Sequence, residues 1–133
     1  MESRVGTAHG MIEGTLSDDG VVGRFLGVPY AKPPLGPLRW KAPQLPDRWD
    51  GVRPARTFSP ACVQPSLPEN SLVYGQEKLT SEDCLTLNVY TCGVGAAEKR
   101  PVIVWFHHGG STWAGRARPC MTGVNWPARV PWW

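Results

Sequence analysis

Between Val28 and Gly51 the chain reads VPYAKPPLGPLRWKAPQLPDRWDG, and this stretch constrains the fold more than any other. Each proline fixes φ, removes a backbone donor and biases the residue before it toward extended conformations. Neither a helix nor an interior strand tolerates prolines at that spacing, so the segment must run extended and irregular along a surface. Tyr30, Leu35, Leu38, Trp40, Leu45 and Trp49 make it too apolar for a free linker. It is expected to wrap over a core.

The flanking sequence supplies short strands for that core. Arg4–Val5, Gly10–Thr15 and Val21–Leu26 alternate or carry β-branched residues, and SDDG at Ser17–Gly20 forms the turn between the last two. That pattern predicts a hairpin or a small meander. After the wrap, Ala61–Ser81 reads as a polar, proline-containing loop. Cys84–Tyr90 then alternates Leu85, Leu87 and Val89 against Thr86, Asn88 and Tyr90, a half-buried strand. CGVGAAEKRP is a turn, with Cys92 a turn residue. Val102–Phe106 is a continuous apolar run, expected as a central strand. No helix stands out before Gly110, and no internal repeat occurs.

Size and charge narrow the functional classes. A chain of 133 residues forms one domain with a modest core. Its net charge is only +3, and Arg4, Arg24, Arg39, Arg48, Arg53 and Arg56 are dispersed, which argues against a nucleic-acid partner. No apolar stretch approaches the ~20 residues of a membrane span, so no membrane partner is expected. The N-terminal MESRVGTAHGMIEG lacks an apolar core of the secretory type, which favours the cytoplasm. The pair His107–His108 has no Cys, Asp or Glu close in sequence, so neither a metal nor a cofactor is expected.

Four segments occur in order: GRFLGVPYAKPPLGPLRWKAPQ (Gly23–Gln44), TFSPACVQ (Thr57–Gln64), SEDCLTLNVYT (Ser81–Thr91) and PVIVWFHHGG (Pro101–Gly110). Together they resemble the N-terminal part of a type B carboxylesterase, from the α/β-hydrolase family that includes the cholinesterases. The resemblance runs roughly from Val5 to Gly110. It implies an α/β class, here the β-rich N-terminal part of an incomplete α/β-hydrolase fold, with a small-molecule ester as substrate. Residues 1–110 would then be the carboxylesterase portion, and residues 111–133 an out-of-frame or disordered tail.

The same resemblance assigns roles that these residue types can bear. A His-Gly-Gly-Gly loop after a buried strand forms much of the oxyanion hole in such hydrolases. Glycine lets the backbone N–H groups approach the substrate, and one such donor is worth about 3–4 kcal/mol in the transition state. His107 falls on the family histidine, and Gly109 and Gly110 on the second and third glycines, the oxyanion donors. His108 stands where the first glycine belongs, so a Cβ crowds the turn. Cys62 and Cys84 fall on a family disulfide, a cross-link worth on the order of 3 kcal/mol for a loop of about twenty residues. Within that loop Tyr74 reads as a surface residue. Arg39 and Glu82 fall on a family ion pair that would pin the proline-rich wrap to the base of the loop.

The chemistry implied by the family needs a serine in a G-x-S-x-G turn, then an acid, then a histidine. No G-x-S-x-G occurs in this sequence, and Ser111 sits on the wrong loop. Acyl transfer is therefore not expected of this chain alone. Two other readings are a non-catalytic adhesion-type relative, which would retain a full-length domain, and a small disulfide-stapled secreted protein, which would carry a signal.

The tail, STWAGRARPCMTGVNWPARVPWW, reads as neither strand nor helix. Pro-Cys-Met-Thr-Gly requires CCN-TGY-ATG-ACN-GGN, which in a shifted frame permits Leu-Tyr-Asp-Gly. The same shift permits Glu-Leu-Ala over Val124–Ala128 and Gly-Ala-Val-Val over Val130–Trp133. Type B esterases resemble LYDG…ELA…GAVVV at this place, which implies a frame break between His108 and Trp113.

Overall fold

The computed structural model describes residues 2–65, 79–94 and 99–106. Strand β1 (Glu2–Thr7) and β2 (Gly10–Leu16) form a tight antiparallel hairpin, in register from Glu2↔Thr15 to Thr7↔Gly10. The Thr7 hydroxyl closes its turn by donating to the Gly10 carbonyl at 2.8 Å and accepting the His9 N–H at 3.1 Å. β3 (Val22–Pro29) follows the SDDG turn. There the Ser17 hydroxyl accepts the Val22 N–H at 2.9 Å and the Asp19 carboxylate accepts the Val21 N–H at 3.0 Å. The turn residues thus do what their side chains favour, satisfying local backbone donors.

β2 divides its second edge between two partners. Thr15 and Leu16 pair antiparallel with Arg24 and Gly23 of β3, whereas Met11, Ile12 and Glu13 pair in parallel with β4 (Val52–Pro54). Ala55 fills the fork. Its N–H donates to the Glu13 carbonyl at 2.7 Å, and its carbonyl accepts the Leu26 N–H at 2.8 Å. Gly14 admits this crossing, because a Cβ there would come within 2.1 Å of the Arg24 carbonyl oxygen. The core of Ile12, Phe25 and Ala55 sits at the fork, with Val5, Val28, Trp49 and Val94 packed on it.

The proline-rich segment runs extended along the surface as expected, but of its six large apolar side chains only Trp49 packs on the core, while Tyr30, Leu35, Trp40 and Leu45 are exposed. One turn of 3-10 helix (Gly36–Leu38) interrupts an otherwise extended path, and Lys32 N–H donates to the Gln44 carbonyl at 2.9 Å to close the excursion. Trp49 fastens its far end: its indole N–H donates to the Met11 carbonyl at 2.8 Å, its ring stacks near His9, and the Arg53 guanidinium lies 5.4 Å from the ring centre. Trp40, by contrast, is 91 % exposed.

β5 (Ala61–Cys62) and β6 (Thr80–Ser81) make a separate two-stranded parallel sheet, and β7 (Thr86–Cys92) pairs antiparallel with β3. The β3–β7 ladder breaks between Phe25 and Val28. Gly27 adopts φ +69° at that bulge, and its N–H donates to Asn88 Oδ1 at 3.0 Å.

Two sequence expectations need correction. Val102–Phe106 is not a strand: its residues are 53–85 % exposed, and its backbone belongs to neither described sheet. An apolar run becomes a central parallel strand only where neighbouring strands and covering helices accept it. Cys92 closes β7 and does not lie in the following turn. The alternation in β7 is real, but its apolar side stays partly open, with Leu87 40 % and Val89 38 % exposed.

Candidate functional site

Gly109 and Gly110, with His107, His108 and Ser111, lie outside the described residues, as does Tyr74. Of the residues the sequence singles out, the described fold contains Arg39, Cys62, Glu82 and Cys84. Cys62 and Cys84 are joined, with their Cα atoms 5.1 Å apart, at the base of the loop that leaves β5 and returns through β6. Cys84 is buried, so the cross-link fixes the entry into β7 from inside.

Arg39 Nη2 lies 2.9 Å from Glu82 Oε1 and so links the wrap to the residues just before Cys84. Both side chains are roughly half exposed, at 58 % and 42 %. An ion pair in that setting contributes about 0–1 kcal/mol, and its value is geometric. The wrap is also held to β7 by the Tyr30 N–H, which donates to the Leu85 carbonyl at 3.2 Å.

The strongest polar cluster was not marked by any motif. Glu13 is the buried charged residue of the sheet, 7 % exposed. Its carboxylate accepts Arg4 Nε at 2.7 Å and is also bonded by Arg56, whose guanidinium reaches Glu2 at 2.6 Å. Hydrogen bonds from Arg4 and Arg56 hold the Glu13 carboxyl below its ordinary value, against an opposing contribution from burial. This network ties β1, β2 and the residue after Ala55 into one unit. The one sequence signal for it is a glutamate between Ile12 and Gly14 in an apolar strand.

Val5, Ile12, Phe25, Val28, Val89 and Val94 line an open apolar groove on the sheet. Among the described residues no group of three or more His, Cys, Asp or Glu side chains could hold a metal ion. No described helix is long and apolar enough to cross a membrane.

Comparison with known proteins places this scaffold. A family model described as carboxylesterase family matches residues 1–124. The chain is 42 % identical over 115 residues to human carboxylesterase 3, covering 82 % of this chain and 20 % of that protein. It is 43 % identical over 106 residues to phenmedipham hydrolase of Pseudarthrobacter oxydans, covering 78 % of this chain and 21 % of that one. Among solved structures, a PNB esterase superposes with a TM-score of 0.74 at 37 % identity, over 90 % of this chain and 23 % of the esterase. A Geobacillus stearothermophilus carboxylesterase gives a TM-score of 0.75 at 35 % identity, with 90 % of this chain and 22 % of that structure covered. The chain thus spans about a fifth of the length of the relatives it matches.

Proposed function

The chain belongs to the carboxylesterase family and carries the strand-rich N-terminal portion of its α/β-hydrolase fold, and on that premise we propose that it is the oxyanion-loop part of a serine hydrolase acting on small carboxylic esters. The observation that carries this reading is the family match across residues 1–124 together with a superposable fold. In the reading, the N–H groups of Gly109 and Gly110 stabilise the oxyanion that forms when an ester carbonyl is attacked. The Cys62–Cys84 bridge and the Arg39–Glu82 pair tie β5 and the wrap to the residues that lead into β7. Ester hydrolysis is also what the names of several relatives describe, from human carboxylesterase 3 to fumonisin B1 esterase.

No G-x-S-x-G lies in these 133 residues, so the nucleophile and its base must come from sequence other than this. The chain alone is expected to hydrolyse short p-nitrophenyl esters no faster than a denatured control. Turnover abolished by a serine-directed organophosphate would overturn that expectation and point to Ser111.

For residues 111–133 the proposal is a shifted frame, supported by the codons that Pro119–Gly123 and Val130–Trp133 require. The family match running to residue 124 marks no boundary at 110. The nucleotide sequence tests this: the shifted frame should read Leu-Tyr-Asp-Gly and continue to a G-x-S-x-G. A stop codon within a few triplets would remove the proposal.

A further inference from the structure

We draw no further inference here: the strongest candidate, the open apolar groove that Val5, Phe25, Val28 and Val89 line on the five-stranded sheet, carries none because nothing in the structure shows what covers it.

Discussion

The backbone N–H of Ala55 donates to the carbonyl of Glu13 across 2.7 Å, at the point where β2 leaves β4 and joins β3. Ala55 is buried there with Ile12 and Phe25. Ala55→Leu is expected to lower stability by about 1–3 kcal/mol through overpacking. Urea denaturation followed by tryptophan fluorescence would measure it, and an unchanged midpoint would mean that the fork is looser than described.

Acid should weaken the same region. Arg4 and Arg56 lower the Glu13 pKa in the folded chain, so the stabilisation is fully present above the ordinary glutamate value of about 4.3. It is lost as pH falls through the lower native value. Glu13→Gln removes the charge and leaves two guanidiniums without their shared carboxylate. The variant should be less stable at neutral pH, and its urea midpoint should fall less steeply than the parent's through the carboxylate range. Parallel pH profiles for the two proteins would count against the network.

The disulfide joins residues 22 apart in sequence. Its reduction should cost about 3 kcal/mol in the chain-entropy picture. Peptide mapping without reduction should find Cys62 linked to Cys84, and a reductant should shift the denaturation midpoint downward. Linkage of Cys84 to Cys92 or Cys120 would contradict the scaffold.

Gly27 should not tolerate a side chain. Its φ is +69°, and a Cβ there would approach Ser59 Oγ at 2.5 Å and the Thr57 carbonyl at 3.0 Å. Gly27→Ala is expected to cost about 1–3 kcal/mol from backbone strain alone. Amide exchange should locate the loss at the β3–β7 bulge, with Asn88 affected through its bond to the Gly27 N–H.

Much of this architecture is written locally. SDDG specifies its turn because Ser17 and Asp19 satisfy the donors of Val22 and Val21, and the prolines of Val28–Gly51 permit little besides an extended wrap. β4 was hidden because Pro54 argues against a strand, although proline is tolerated on a short outer strand such as this one. Glu13 and Ala55 were hidden for another reason. Their roles depend on segments distant in sequence meeting at one fork, and no local pattern encodes that meeting. Val102–Phe106 shows the converse limit, since an apolar run states that burial is favourable but not what is present to bury it. The oxyanion assignment of Gly109 and Gly110 rests on the resemblance of HHGG to the family loop, where His108 departs from the pattern.

The most direct measurement is ester hydrolysis by a chimera in which residues 1–110 replace the corresponding segment of PNB esterase, a relative 37 % identical in structure-based comparison. The expected result is a folded enzyme that turns over p-nitrophenyl esters. In it, Gly110→Pro, which deletes the N–H proposed as an oxyanion donor, should lower kcat by about 10²–10³ with little change in KM. A folded chimera without activity, or one whose kcat ignores Gly110→Pro, would contradict the assignment of this chain as the oxyanion-loop part of a carboxylesterase.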